Sequence, residues 1–147
     1  MREIEFRGQS TFDKQWHYGY LDYEAHDDKY KINNGKELSF YVDSNTIGQY
    51  IGFDDKNGKK IFEGDIVEVT IKNEEYDWDG KYKEYTKKLI GKVIYQKNAF
   101  VIESEIRTLD FIDKKYVEMQ RDGTVYYYTY KVIGNIYDNP ELLGDNL

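Results

Sequence analysis

Residues 46–70 leave the backbone few choices. They read TIGQYIGFDDKNGKKIFEGDIVEVT: an apolar segment, a tight turn at Asn57-Gly58, a second apolar segment, a corner at Gly64-Asp65, and then a strand. Asn-Gly supplies the positive φ angles that a short hairpin demands, so residues 49–53 and 61–62 are expected to pair. Past the corner, Ile66, Glu68 and Thr70 alternate with Val67, Val69 and Ile71. A period of two is what a strand with one buried face requires. Asp65 suits the corner because a carboxylate there can accept from backbone N–H groups.

The rest of the chain repeats this grammar in short strands. Ile4 and Phe6 share a face in a first strand over 2–7, and QWHYGYLDYE at 15–24 forms a second. Gly19 between aromatics marks a bulge there, or a neighbour's ring lying over the bare backbone. Asn34-Gly35 turns between a short strand at 30–32 and ELSFYV at 37–42. The run Asp43-Ser44-Asn45-Thr46 offers a side-chain cap for one helical turn. Residues 73–85, with Asp77-Trp78-Asp79-Gly80 in their midst, read as a long hairpin tip or a mobile loop. LIGKVIY at 89–95 follows, with Gly91 where small barrels bend, then a strand at 99–106. Residues 109–113 are ambiguous between strand and coil. Arg121-Asp122-Gly123 should turn a hairpin between 116–119 and 124–130. Gly134 lies inside a last strand at 132–137, and Asn139-Pro140 opens a closing helical turn, Asn as cap and Pro in the first position.

About ten short strands at this spacing predict a mainly β chain. The expected architecture is an N-terminal β-meander over 1–63 and a small SH3-like barrel over 64–147, with few short helical turns. The two parts could equally form one compact unit.

Composition narrows the setting. The chain has 147 residues and no cysteine, so disulfides and thiolate zinc sites are excluded, and a reducing cytoplasm fits. No apolar run is long enough to span a bilayer, and MREIEFRG lacks the apolar core of a signal peptide. The net charge of −7 argues against a surface that tracks phosphates along its whole length. Solubility is the plain explanation of that acidity; a basic partner or mimicry of nucleic-acid charge is the sharper one. The 16 tyrosines suit strands, where one ring face packs and the hydroxyl reaches water, and they also suit interfaces.

Four segments taken together resemble one family: MREIEFRG, WHYGYL from Trp16, VDSNTIGQYIGFDDKNGKKIFEGDIV from Val42, and VIGNIYDNPELL from Val132. They look like the YopX family, small proteins of phages and prophages. The resemblance implies a phage-derived, β-rich, self-associating protein in a bacterial host cytoplasm, and it delivers no activity. Residues 72–88 and 107–131 look longer than the family's usual connections.

Little in the sequence points to chemistry. His17 and His26 lack a further ligand at metal spacing. Asp54-Asp55-Lys56-Asn57-Gly58 faintly resembles the start of a calcium loop, but its twelfth position is Asp65 and Lys59-Lys60 would repel a cation. Neither an enzyme nor a cofactor is therefore expected. The candidate binding surface is aromatic: Tyr126, Tyr128 and Tyr130 on one strand face, with Lys131 beside them and Lys114, Lys115 and Arg121 near in sequence. Such a platform could stack single-stranded bases, or pack inward, or form a subunit interface. The expected function is a non-enzymatic, self-associating interaction module with an unknown phage or host macromolecule as partner and no membrane. A nucleic-acid-binding accessory factor is the alternative.

Overall fold

The computed structural model describes residues 3–111, 118–119 and 124–144. The chain forms two compact units, one of residues 1–54 and 60–64, the other of 55–59 and 65–147. It therefore passes between them at 54–55, 59–60 and 64–65, and the Asn57-Gly58 turn belongs to the second unit.

The first unit is an antiparallel sheet built from β1 (Phe6–Gln9), β2 (Trp16–Glu24), β3 (Lys29–Asn33), β4 (Ser39–Val42), β5 (Gly48–Asp54) and β6 (Lys60–Phe62). Its order is β4-β3-β2-β1-β5-β6, so β1 to β4 form a meander that β5 extends at β1. Asn33 and Asn34 turn the β3–β4 hairpin by accepting, through their side chains, from the N–H groups of Gly35 (2.8 Å) and Lys36 (2.9 Å). A Cβ at Gly19 would overlap the Asn33 carbonyl oxygen, so backbone, rather than the ring expected, lies over this residue. The expected cap is present: Asp43 accepts from the Asn45 N–H at 2.9 Å and starts a single 3-10 turn at Ser44–Thr46. The core holds Ile32, Val42, Tyr50, Ile61 and Phe62. Arg7 is buried among them. Its guanidinium lies 4.8 Å from the Trp16 ring and 5.1 Å from the Phe62 ring, and Nη2 donates to the Glu63 carbonyl at 3.3 Å. Two aromatic faces and a carbonyl offset much of the cost of taking that charge from water.

The second unit contains β7 (Asp65–Tyr76), β8 (Tyr82–Gln96), β9 (Ala99–Ser104), β10 (Thr108–Asp110), β11 (Glu118–Met119) and β12 (Val125–Asn135). Its sheet runs β10-β9-β8-β7-β12-β11, all antiparallel. Ile66, Val67 and Val69 have no exposed surface, and Ile71, Val93, Val101, Ile102 and Tyr130 are buried as well. Burying each such side chain contributes roughly 1.5–3 kcal/mol. A Cβ at Gly91 would sit 2.6 Å from Ile102 Cγ2 and 2.7 Å from the Glu103 carbonyl oxygen, so the bare α-carbon lets β9 join β8 there.

One detail differs from the barrel expected over 64–147. Among the described residues the sheet is open, with β10 and β11 at its ends and no pairing between them. β7 and β8 stay paired out to Tyr76 and Tyr82, whereas β9 accompanies β8 only from Gly91. The ambiguous 109–113 segment contributes the short edge strand β10. Arg2, Lys114, Lys115, Tyr116 and the Arg121-Asp122-Gly123 turn lie outside the described residues.

The turn residues fall as follows. Gly58 and Gly64 take the left-handed φ values of 80° and 91°. Asp65 is buried at the start of β7, opposite Asn135. Gly134 sits at a bulge in β12, where a Cβ would crowd the Asn139 and Leu142 side chains. Pro140 begins a 3-10 turn at Pro140–Leu143, but Asn139 does not cap it. Its Oδ1 accepts instead from the Asn135 N–H at 3.3 Å, tying the turn back to the strand end.

Candidate binding surface

Beyond Lys72, β7 and β8 continue as an arm. Asn73 stands opposite Tyr85, Glu74 opposite Glu84, Glu75 opposite Lys83, and Tyr76 opposite Tyr82. Opposed residues share a face, so Glu74, Tyr76, Tyr82 and Glu84 stand together, joined by Tyr127, which lies opposite Lys72. The Tyr76 and Tyr82 rings are 5.5 Å apart and tilted by 59°. The Tyr82 hydroxyl donates to Glu84 Oε2 at 3.0 Å, and the Tyr127 hydroxyl to Glu74 Oε2 at 3.3 Å. Burial, followed by the bonds to Glu84 and Glu74, holds the Tyr82 phenol well above its ordinary pKa. The Glu74 charge acts first in raising Tyr127. Both phenols therefore stay neutral donors at neutral pH.

The opposite face carries an ion pair between Lys83 Nζ and Asp77 Oδ2 at 3.1 Å, and the bond to Asp77 raises the Lys83 pKa. At the tip, Asp77 N–H donates to the Lys81 carbonyl at 2.7 Å and Gly80 N–H to the Asp77 carbonyl at 2.8 Å. Trp78 is wholly exposed there. Tyr76 is 71% exposed, and Tyr82 and Tyr85 are each 49% exposed. The arm thus leaves these rings in water among its charged side chains.

The sequence placed its aromatic platform one face away. Tyr126, Tyr128 and Tyr130 do share a side of β12, but it is the inward one. Tyr130 is 1% exposed and packs its ring 5.1 Å from Phe111, and Tyr126 and Tyr128 are half-buried. Tyr130 is therefore a core residue, closed to a base. Lys131 is exposed on the other face, with Tyr127. Tyr76 and Tyr82, which the platform did not include, had one signal available: both flank the Asp77-Trp78-Asp79-Gly80 tip, Tyr76 directly before it and Tyr82 two residues after it.

The remaining candidates are structural. The His17 ring stacks on Phe40 with centroids 3.7 Å apart, and His26 is exposed in the turn between β2 and β3. Asp54 accepts from the Tyr50 hydroxyl at 2.6 Å. The buried Asp55 faces backbone: Oδ1 accepts from Asn57 N–H (2.8 Å) and Lys59 N–H (2.9 Å), and Oδ2 from Val132 N–H (2.9 Å). Burial favours the neutral acid, but these bonds outweigh it together and lower the Asp55 pKa. Among the described residues no group of three or more His, Asp or Glu is placed to hold a metal ion. None of their helices is long and apolar enough to cross a membrane, a statement that leaves strands aside.

The sequence profile of the YopX protein family matches residues 5–144. The chain belongs to the YopX family. The matched range includes both segments that looked extended, 72–88 and 107–131. A solved relative in structure is protein EF1440 from Enterococcus faecalis, at 24% identity and a TM-score of 0.44, covering 97% of this chain and 99% of that one. No curated protein matches the chain.

Proposed function

We propose that this YopX-family chain is a phage- or prophage-encoded, non-enzymatic interaction module of the bacterial cytoplasm that self-associates and engages a macromolecular partner. One observation carries this reading: the β7–β8 arm holds Tyr76, Trp78, Tyr82 and Tyr85 in water on a hydrogen-bonded ribbon. Rings held on paired strands lose little further entropy on docking, which favours their use as anchors. Bonds of Tyr82 to Glu84 and Tyr127 to Glu74, with the Lys83–Asp77 ion pair, support a role for these polar groups in holding the rings.

The nucleic-acid alternative has less support. Tyr130 is taken by the core, and Glu74 and Glu84 lie beside the exposed rings, where phosphates would be repelled. Sedimentation equilibrium on the full chain tests the self-association. A molecular weight rising with concentration above the monomer is the expected result; a strict monomer into the hundreds of micromolar would overturn it. A gel shift with single-stranded DNA and RNA at low salt should show no retardation.

A further inference from the structure

The second unit leaves two apolar features uncovered at opposite ends of one strand. At the far end, Trp78 stands wholly exposed on the tip that joins β7 to β8. Where the arm meets the body, the Ser104–Ile106 turn and Leu142–Gly144 lie against Lys88–Ile90 of β8 and leave between them a cleft of about 340 Å³. Leu89, Ile90, Ile106, Leu142 and Leu143 supply its apolar lining. Ile106 is 62% exposed, Ile90 40% and Leu142 36%, so that lining faces water. A cleft of this size is at the small end of the roughly 300–1,000 Å³ that binding pockets span, room for one large side chain.

We propose that the cleft receives Trp78 of a second copy of this chain, each of two chains giving its tip to the other's cleft. The inference rests on the self-association reading above. Within one chain the contact is out of reach. Tyr82 and Ile90 stand roughly 26 Å apart along β8 at about 3.3 Å per residue, and Trp78 lies beyond Tyr82. A two-fold axis across the middle of the arm removes that difficulty. It lays two arms antiparallel, and the span from tip to cleft is the same in both copies, so both contacts close at once.

The charges match at the rim. Asp77 and Asp79 flank Trp78, and the ion pair with Lys83 holds Asp77, which leaves Asp79 to meet a cation. The arm side of the cleft carries Lys88. Its Nζ lies 3.6 Å from Glu68 Oε1 with 62% of the side chain in water, so a further carboxylate can approach it. The facing turn carries Glu105, whose Oε1 lies beside Gly144 and offers the acceptor that a buried indole N–H requires. Each indole buries roughly 150–250 Å², so two indoles and the two clefts that take them bury roughly 600–1,000 Å² in all. A stable interface starts at about 1,200 Å². Tyr82 and Tyr85, each 49% exposed along the arms between the two contacts, lie where the remainder would come from.

Two substitutions in the full chain test the exchange. Trp78→Ala removes both tips from a dimer, and Ile106→Arg blocks both clefts; both fall on exposed side chains. Each variant alone should dimerise at least about tenfold more weakly than the parent, a change of about 1.4 kcal/mol. Mixed, they keep one intact contact, Trp78 of the Ile106→Arg chain in the cleft of the Trp78→Ala chain. Sedimentation velocity with the Trp78→Ala chain fluorescently labelled should show labelled heterodimer in the mixture at concentrations where each variant alone is monomeric. Tryptophan emission of the parent should shift to the blue as concentration rises through dimerisation, and Trp78→Ala should show no such shift. Far-UV circular dichroism on each variant checks that the fold is kept; if Ile106→Arg unfolds, Trp78→Ala and the emission shift carry the test. A parent chain that never dimerises removes the self-association reading and this inference together. A parent dimer that ignores both substitutions, shows no emission shift on assembly, or is not recovered in the mixture gives the cleft to another occupant and removes this inference alone.

Discussion

Asp55→Ala should unlock the edge of β12. In the native chain the Asp55 carboxylate accepts three N–H bonds, two closing its own turn and one from Val132, while Lys56 N–H donates to the Tyr130 carbonyl at 2.8 Å. Asn57 and Lys59 are exposed, so their N–H groups would regain water after substitution. Each of those bonds is then worth roughly 0.5–1 kcal/mol net. Val132 is half-buried at the bulge, and stranding its N–H costs about 1–3 kcal/mol. The sum is roughly 3 kcal/mol for Ala. Asn keeps the shape but offers a single acceptor oxygen, so either the turn pair or Val132 must face an NH2 group. Asp55→Asn should therefore cost about 2 kcal/mol despite being isosteric. Urea denaturation gives the totals, and amide hydrogen exchange at Lys56 and Val132 gives the local effect, a loss of protection at both. The sign with pH follows from the lowered Asp55 pKa. Its contribution is fully present above the ordinary carboxyl value of 3.8 and is lost as pH falls through the lower folded value. Acid unfolding should accordingly be shallower in Asp55→Ala than in the parent. An Asp55→Ala chain within about 0.5 kcal/mol of the parent, with Val132 still protected, would refute the assignment of Asp55 as a clamp.

Two further outcomes follow from the first unit. Burial, reinforced by the bond to Asp54, pushes the Tyr50 phenol up to about 12. A raised folded pKa means stability that is complete below the ordinary tyrosine value of 10.0 and declines as pH rises through the folded one. Ultraviolet titration should find one fewer late-ionising tyrosine in Tyr50→Phe than in the parent, the raised Tyr82 and Tyr127 remaining, and alkaline unfolding should be less steep in that variant. Gly19→Ala should destabilise by roughly 2 kcal/mol or more, because the new methyl group lands on the Asn33 carbonyl. Thermal melts of Gly19→Ala that match the parent would contradict this packing.

The sequence was most informative where local chemistry decides conformation. Asn57-Gly58, Asn34-Gly35 and Asp43 each carry their own geometry, so the hairpins and the short cap were legible before any tertiary contact. The valines after Gly64 were legible too, because alternation of apolar and polar residues names the buried face. Alternation failed in the arm. From Lys72 to Lys88 both faces are polar or tyrosine, so no period distinguished strand from loop, and only the pairing of Tyr76 with Tyr82 reveals the ribbon. It failed differently in β12, where Tyr126 to Tyr128 offer rings to both faces. Which side became core depended on Phe111, far away in sequence. Asp55 was read as part of a turn; its bond to Val132 spans the chain and leaves no local trace.

The assignment of the Asp55 turn to the second unit bears on how this gene can be dissected. A fragment beginning at Gly64 would encode every strand of that unit yet omit the carboxylate that seals its bulge, and a fragment stopping there would carry the plug without its socket. Isolated halves should therefore behave worse than either half does within the parent. Domain exchange between relatives has to move residues 55–59 along with everything after Gly64, leaving the intervening residues 60–64 behind.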